Sequence, residues 1–188
     1  MPILKKEIDQ FPDDLLALRG PTAGDVGRWW ALYTRSRREK DLMRRLVKLQ
    51  IAFYCPVIEH QHRSPQGRLR TSYIPLFSNY VFLRGDEEDR HAALTTSCIS
   101  RDLEVKDPQR LVEDLRQIRD LIARGIDLTP EARIEPGTRV RVKAGALAGQ
   151  VGTVIERRGQ KRLLVAVDFL QQGASVELTP CDLETLDS

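Results

Sequence analysis

The hydrophobic pattern of this chain changes character near residue 130. Upstream, short apolar runs rich in β-favouring residues alternate with segments whose apolar residues recur at helical spacing. Downstream, no helical period remains, and five short β-favouring segments are separated by glycines. The length of 188 residues is enough for two small domains. The pattern therefore predicts an α+β domain followed by a small all-β domain.

The upstream half predicts a β-α-β-β-α-β-α order of elements. The run at 29–33 has the length of a buried strand, and from Glu39 onward the apolar residues fall on one helical face. A Pro/Gly loop at 64–67 separates the apolar runs 51–58 and 73–83, which predicts a hairpin. The remaining predicted elements are a short helix at 89–94, a weaker strand at 99–105 and a helix that begins at 107–108 and ends at Gly125.

We predict four segments from these boundaries. They are an N-terminal tail at 1–27 with one short helical turn, a first domain at 28–125, a linker with two prolines at 126–136, and a second domain at 137–188. The second domain has candidate strands at 138–142, 150–156, 162–169, 174–178 and 183–186. Five short strands in about 50 residues are typical of a small β-barrel, which covers its own edges.

Positive charge is concentrated in one early block. The net charge is only +3, but 28–49 carries eight basic and two acidic residues, whereas 84–135 carries nine basic and thirteen acidic ones. Such a block is either a solvated face or a surface for the phosphates of nucleic acid. The candidate residues, including three near the tip of the predicted hairpin, are Arg35, Arg37, Arg38, Lys40, Arg44, Arg45, Arg63, Arg68 and Arg70.

The sequence lacks strong signals for catalysis, metal binding or export. Cys55, Cys98 and Cys181 are far apart and odd in number, which favours a reducing, cytoplasmic setting over a disulfide framework. His60 and His62 could join Cys55 around a metal, but no carboxylate or second cysteine pair completes the set. The sequence contains no long apolar span, phosphate-binding glycine loop or nucleophile elbow. We expect no signal peptide, because acidic residues rather than an apolar run follow the first six residues. We expect a soluble protein that is not an enzyme and holds no cofactor or metal.

The stretch 140–154 combines a strand, a tight loop with two glycines, and a second strand with a further glycine. Glycine allows positive φ and lets backbones approach closely, so shaping a barrel is one sufficient reason for these residues. The stretch also resembles the KOW motif, and 176–178 matches the closing Val-Glu-Leu signature of that motif. The residues that carry the resemblance are Val142, Gly145, Leu147, Gly149, Gly152 and Val154.

Two upstream segments resemble the N-terminal domain of the NusG family. They are Trp-Trp-Ala-Leu-Tyr-Thr-Arg at 29–35 and Pro-Leu-Phe-Ser-Asn-Tyr-Val-Phe at 75–82, with the helix from Glu39 between them. Together with the KOW stretch, the ordered resemblance covers about 28–188. It implies a transcription elongation factor with a ferredoxin-like α/β sandwich and a five-stranded Tudor-like barrel. It also implies that the sandwich docks on the clamp helices of the RNA polymerase β′ subunit.

The chain departs from housekeeping members of that family in its C-terminal part. Leu147 stands where an aromatic is usual, and 169–175 replaces a Phe-Gly-Arg segment followed by Thr-Pro. Housekeeping members contact Rho and a small ribosomal subunit protein through this domain, so the departures weigh against both partners. They favour an RfaH-like paralogue that suppresses pausing and termination at particular operons. The dense β-branched pattern predicts a free barrel on a flexible linker rather than a helical hairpin.

Aromatic side chains on two predicted strands supply a candidate polymerase surface. At period two, Tyr80 and Phe82 face the same side of a sheet, and an uncovered aromatic face would suit a partner's helices. The simpler alternative is that these rings belong to the core. The resemblance implies polymerase contacts for Tyr33, Phe77, Tyr80 and Phe82, and a contact with the β-subunit gate loop for His91. The basic residues would then lie beside nontemplate DNA or the upstream duplex.

An RNA-binding or ribosome-associated module is the alternative from another functional class. KOW barrels also occur in ribosomal proteins, and an α/β sandwich with basic loops can bind single strands. This alternative predicts tight, salt-sensitive RNA binding that does not depend on polymerase.

Overall fold

Two units make up the chain in the computed structural model. The structure describes residues 6–16, 27–63, 67, 69–133, 137–178 and 183–186. The first unit is Met1–Pro108, and the second is Gln109–Ser188.

Among its described residues, the first unit combines a five-stranded antiparallel sheet, a separate hairpin and two helices. The elements are β1 (Gln10–Phe11), β2 (Arg28–Thr34), α1 (Glu39–Leu49), β3 (Ala52–Tyr54), β4 (Val57–Arg63), β5 (Leu69–Pro75), β6 (Tyr80–Gly85), α2 (Glu87–Thr95) and β7 (Ile99–Glu104). In the sheet, the strands follow the order β1-β3-β6-β2-β7, and within the described residues β4 and β5 pair only with each other. The mixed α/β character predicted for this part of the chain is confirmed.

The core of the first unit lies between α1 and one face of the sheet. Leu42 and Leu46, which share the apolar stripe of α1, are fully buried. They pack in one cluster with Leu32 of β2 and with Val81 and Leu83 of β6. Full burial of such a side chain contributes about 1.5–3 kcal/mol, so this stripe is a main source of stability. The predicted amphipathic helix from Glu39 is confirmed.

The predicted hairpin is divided into two successive strand pairs, or tiers: β3 with β6, and β4 with β5. Each of its apolar runs is broken, at Pro56 in the first run and after Pro75 in the second. Proline has no N–H to donate to a ladder, so the inner strands β3 and β6 join the sheet while the outer strands β4 and β5 form their own ribbon. The Leu76 N–H donates to the Pro56 carbonyl at 2.7 Å, at the junction of the two tiers.

The N-terminal segment is partly a strand. Gln10 and Phe11 pair with Tyr54 and Phe53 of β3, and Phe11 packs against the core of the first unit. Leu15 and Leu16 are buried a few residues later. The sequence predicted one helical turn in this tail but no strand, because two residues are too short to show a period. Residues 1–5 and 17–26 lie outside the described part of the chain.

The second unit contains an antiparallel sheet and helix α3, which spans Pro108–Ala123 and enters this unit at Gln109. The strands are β8 (Thr129–Glu131), β9 (Thr138–Val142), β10 (Val151–Arg157), β11 (Gln160–Val167), β12 (Gln172–Glu177) and β13 (Leu183–Thr185), with a 3-10 turn at Asp168–Leu170. They follow the order β13-β9-β10-β11-β12-β8, and the five predicted strands are all present with bounds shifted by up to two residues. Among the described residues no pairing joins β13 to β8, so these strands do not close into the predicted barrel.

Strand β8 lies inside the segment predicted to be a flexible linker. It pairs with β12, with Thr129 opposite Ser175 and Glu131 opposite Gly173. Glu131 Oε1 accepts a 2.7 Å hydrogen bond from the buried Ser175 hydroxyl, and Glu131 also forms a 3.2 Å ion pair with Arg157. The sequence did not predict this strand, because three residues that include Pro130 give no alternation.

Helix α3 groups with the C-terminal sheet, whereas the sequence placed it in the first domain. The compact units divide between Pro108 and Gln109. Polar side chains along the helix explain this grouping: Gln117 Oε1 accepts a 2.9 Å hydrogen bond from the Val151 N–H, and Arg124 donates to the Ala146 carbonyl at 3.1 Å. The apolar stripe of α3 predicted the helix correctly but carried no information about these polar partners.

Candidate functional site

Tyr33 and Tyr80 lie directly opposite each other on the neighbouring strands β2 and β6. Their rings meet edge to face, with centroids 5.1 Å apart and planes at 72°. Both side chains are half-buried. On the other side of Tyr33, Arg101 of β7 places its guanidinium carbon 5.8 Å from the ring centroid. We call Tyr80, Tyr33 and Arg101 the tyrosine row.

The turn before β6 sets the position of Tyr80. Asn79 has a positive φ of 66°, a conformation that asparagine tolerates better than most residues. The Asn79 N–H donates to Glu39 Oε1 at 2.8 Å, and the Asn79 carbonyl accepts from the Thr34 N–H, also at 2.8 Å. The Tyr80 N–H closes the turn by donating to the Phe77 carbonyl at 3.2 Å. The turn thereby connects the ends of both strands that carry the tyrosines.

Phe77 and Phe82 are buried, in contrast to the two tyrosines. Phe77 is 2% exposed and Phe82 is 0% exposed. Phe82 lies opposite Ala31 on β2 and opposite Tyr54 on β3, so it occupies the middle of the sheet. Neither phenylalanine ring is accessible to a partner in this structure, although both were predicted from the resemblance as contact residues.

His91 is exposed on α2 and does not belong to the tyrosine row. The N-terminus of α2 is capped by reciprocal hydrogen bonds between Asp86 and Asp89. Ala93 of α2 joins the core cluster together with Val81 of β6. Because successive side chains on a strand point to opposite faces, α2 covers the face opposite to that of Tyr80. His91 and the tyrosine row therefore lie on different sides of the sheet.

The basic residues after β2 fall into two groups. Arg38 and Arg45 both pair with Asp41, at 3.2 and 3.4 Å, and Arg44 pairs with Glu7 at 3.2 Å. The Cys98 thiol and then Arg45 hold the pKa of Asp41 below its usual value. The other group is Arg35, Arg37 and Lys40, for which the described residues contain no ion pair; both arginines are exposed.

The hairpin β4–β5 carries further exposed arginines at its end. Arg63 lies opposite Leu69, and Arg70 lies opposite His62. Arg63 and Arg70 are exposed, as is Leu69 with 63% of its surface. Arg68, which was predicted with them, lies outside the described residues. The structure thus places two of the three predicted arginines at one end of a solvated ribbon.

The KOW-like residues shape the connection between β9 and β10. Gly145 and Gly149 adopt φ of 84° and 87°, which residues with a side chain rarely adopt. The Gly149 N–H donates to the Val142 carbonyl at 2.9 Å and closes the loop. A Cβ on Gly152 would lie 2.5 Å from the Leu164 carbonyl oxygen of the neighbouring strand. Val142 and Leu147 are buried and Val154 is half-buried, so this set has a structural role in the sheet.

A buried acid joins α3 to the C-terminal sheet. Asp114 is 1% exposed, accepts a hydrogen bond from the Asp168 N–H at 3.1 Å and pairs with Arg110 at 3.4 Å. Burial raises the pKa of Asp114 to about 6, against the opposing effects of the Asp168 N–H and Arg110. A cavity of about 150 Å³ lies beside these groups and is also lined by Gln117 and Arg139.

Three residues of these sites were not predicted as site residues from the sequence. Arg101 belongs to the tyrosine row only through strand pairing, which a loosely alternating strand does not reveal. Glu39 was recognised as the start of a helix, but its partner lies 40 residues away. Asp114 interrupts the apolar stripe of α3 at a buried position, and this interruption is the signal that could have identified it.

No helix among the described residues is long and apolar enough to cross a membrane. No group of three or more His, Cys, Asp or Glu side chains within them could hold a metal ion. Cys55 and Cys98 are buried free thiols, whereas Cys181 and the side chain of His62 lie outside the described part. Burial raises the pKa of the Cys55 thiol.

These features define an α+β domain whose sheet carries two half-buried tyrosines beside an exposed arginine. Residues 27–119 match the family model NusG, described as transcription termination factor nusG. This match, over about half of the chain, supports a relation to the NusG family of transcription elongation and termination factors. Members of that family are transcription factors and not enzymes, and they typically interact with RNA polymerase. None of the curated proteins that were compared matches the chain.

Proposed function

We propose that the chain binds RNA polymerase through the tyrosine row and suppresses pausing and termination. The observation that carries the proposal is the edge-to-face contact of Tyr33 and Tyr80, at 5.1 Å, within the residues that match the NusG model. Tyrosine combines a large apolar ring with a polar hydroxyl, which suits a surface that is exposed alone and buried in a complex. The partner is the pair of clamp helices of the β′ subunit, as the family resemblance implies.

The buried phenylalanines support this surface from within. Phe82 is two residues from Tyr80 on the same strand and therefore shares its face. Because Phe77 accepts the hydrogen bond of the Tyr80 N–H through its carbonyl, its burial anchors the turn. In this proposal Phe77 and Phe82 hold the tyrosines in place, and the tyrosine rings make the contact.

Nucleic acid contacts would come from the arginines that have no acidic partner among the described residues. Arg35 and Arg37 are exposed in the turn after β2, next to the strand that carries Tyr33. Arg63 and Arg70 extend from the end of the hairpin. A polymerase-bound domain lies close to nontemplate DNA and the upstream duplex, and these guanidinium groups suit phosphates without requiring a base sequence. The exposed His91 would face the β-subunit gate loop from the other side of the sheet.

The second unit would act as the family's KOW barrel and provide a separate partner surface. Six strands in one antiparallel ladder, with a glycine loop between β9 and β10, support this assignment. Leu147 is buried and not aromatic, which favours a specialised RfaH-like factor over one that contacts Rho or the ribosome. We propose that the factor is recruited to particular operons.

The test is binding of the purified full chain to RNA polymerase, combined with a pause-escape assay. Tyr33→Ala together with Tyr80→Ala should weaken binding at least about tenfold and remove the effect on pause lifetime, because aromatic anchors dominate interfaces. Tyr73→Ala is the matched control, since Tyr73 is a half-buried tyrosine on β5 outside the row. If the unaltered chain neither binds polymerase nor changes pause lifetime, the proposal is wrong.

RNA binding is the second candidate function, and the exposed arginines at the end of the hairpin favour it. It predicts that the chain alone binds single-stranded RNA with strong salt dependence and that Arg63→Ala with Arg70→Ala abolishes this binding. Binding to polymerase with no measurable RNA affinity would contradict it.

A further inference from the structure

Glu39 is the most buried acidic side chain among the described residues of the first unit. It is 9% exposed at the first position of α1, and its Oε1 accepts a 2.8 Å hydrogen bond from the Asn79 N–H. We infer that Glu39 is a positioning residue for the tyrosine row, and this inference rests on the proposed function of that row.

One turn residue connects Glu39 to both tyrosines. Asn79 precedes Tyr80, and its carbonyl accepts from the N–H of Thr34, the residue that follows Tyr33. The two polar backbone groups of Asn79 are therefore bound on opposite sides, by the carboxyl of α1 and by the end of β2. Without the carboxyl, the left-handed turn at Asn79 would lose its partner from α1 and the start of β6 could shift relative to β2.

Burial of Glu39 needs a reason beyond helix formation. An acidic residue in the first turn of a helix is favourable when it is exposed to solvent, as Glu88 is on α2. Moving such a group away from water costs free energy unless a hydrogen bond compensates for it. The bond to the Asn79 N–H provides that compensation, and it depends on the length of the glutamate side chain.

A second contact restrains the same turn from the segment that follows β3. The Cys55 thiol donates to the Tyr80 carbonyl at 3.6 Å, and the Tyr80 N–H donates to the Phe77 carbonyl. The backbone of Tyr80 is thus held at both of its polar groups, while Glu39 holds the residue before it. The backbone of Tyr80 is therefore fixed, while its half-buried side chain packs edge to face against the Tyr33 ring.

Four variants of the full chain separate positioning from general stability. Glu39→Gln keeps the length and an acceptor oxygen, whereas Glu39→Asp keeps the charge but is one methylene too short to reach Asn79. Glu39→Ala removes both features. Glu88→Ala is the matched control, because it deletes an exposed acid from the first turn of α2. The measurements are NMR cross-relaxation between the Tyr33 and Tyr80 rings and the affinity for RNA polymerase.

We expect Glu39→Gln and Glu88→Ala to preserve the edge-to-face packing of the rings and to bind polymerase within about twofold of the unaltered chain. Glu39→Asp and Glu39→Ala should abolish this packing and bind about tenfold more weakly, the effect of one hydrogen bond to a charged group. Ring packing that is unchanged in Glu39→Asp would overturn the inference. The NMR measurement does not require polymerase, so it tests the positioning role separately from the proposed function. If the rings separate in Glu39→Asp and Glu39→Ala but the unaltered chain does not bind polymerase, the positioning role is supported and the proposed function is contradicted.

Discussion

The backbone N–H of Asp168 donates a 3.1 Å hydrogen bond to Oδ2 of Asp114, a buried carboxyl on α3. Arg110 lies between the two acids, 2.8 Å from Asp168 Oδ2 and 3.4 Å from Asp114 Oδ1. One buried acid thus connects the helix to the turn between β11 and β12, within the second unit.

This acid should make the stability of the second unit depend on pH. Burial raises the pKa of Asp114 from 3.8 to about 6, with Arg110, Asp168 and Glu113 as its charged neighbours. A group with a higher pKa in the folded state binds its proton more tightly there, so the free energy of unfolding falls as pH rises from 3.8 to about 6. For this one group the fall is on the order of 3 kcal/mol.

Asp114→Asn is the variant that isolates this effect. It cannot titrate but keeps an acceptor for the Asp168 N–H, so the fall in stability between these pH values should disappear. Urea unfolding of the full chain, followed through NMR signals of second-unit residues, measures it. Parallel pH profiles for the variant and the unaltered chain would refute the prediction.

Arg101→Gln should weaken polymerase binding about twofold to fivefold, less than removal of either tyrosine ring. Its guanidinium lies over the Tyr33 ring at a partly exposed site, where a cation–π contact is worth about 0.5–1 kcal/mol. Titration of polymerase with the full chain measures the change. Arg28→Gln is the control, because Arg28 is an exposed arginine on the same sheet that pairs with Glu104. Equal effects in both variants would indicate a general effect of charge.

Gly152→Ala should destabilise the second unit by about 1–3 kcal/mol, the usual range for overpacking. The new Cβ would meet the Leu164 carbonyl at 2.5 Å, and backbone cannot move aside as a flexible side chain can. Gly159→Asn is the comparison, since φ of 77° at Gly159 suits asparagine and no atom lies within 4 Å of its Cβ position. Thermal unfolding distinguishes the two, and equal midpoints would contradict the prediction.

Arg35→Ala together with Arg37→Ala should reduce DNA affinity in the polymerase complex uniformly across sequences. Both side chains are exposed, and phosphate contacts carry no sequence information. The dependence of log affinity on log salt should become shallower by about one for each duplex phosphate that the variant no longer neutralises. Arg38→Ala with Arg45→Ala is the control, because Asp41 already pairs with both. A greater reduction in the control would reverse the assignment of the two groups.

The sequence predicted elements well where one period dominates. Leu42 and Leu46 defined α1, and the alternation of Val140 and Val142 defined β9. Prolines within apolar runs obscured the pattern, so Pro56 and Pro75 concealed the division of the hairpin into two tiers. Strand β8 was missed for the same reason at Pro130.

Prediction of the site was limited by pairing and burial, which depend on tertiary structure. Tyr33 and Tyr80 were identified from the family resemblance, and the register that brings their rings together follows from strand pairing alone. Sequence patterns could not distinguish these half-buried tyrosines from the buried Phe77 and Phe82. The bond between Glu39 and Asn79 links residues 40 positions apart, beyond the reach of any local period.

Strand β8 determines where the C-terminal part of this protein can be cut for separate study. A fragment that starts at residue 137, where the all-β pattern begins, would lack the strand that pairs with β12 and the Glu131 acceptor of Ser175. An uncovered strand edge is a template for pairing between molecules, so such a fragment would tend to aggregate. Starting at residue 109 instead retains both β8 and α3, which belong to the same unit, and keeps that edge covered.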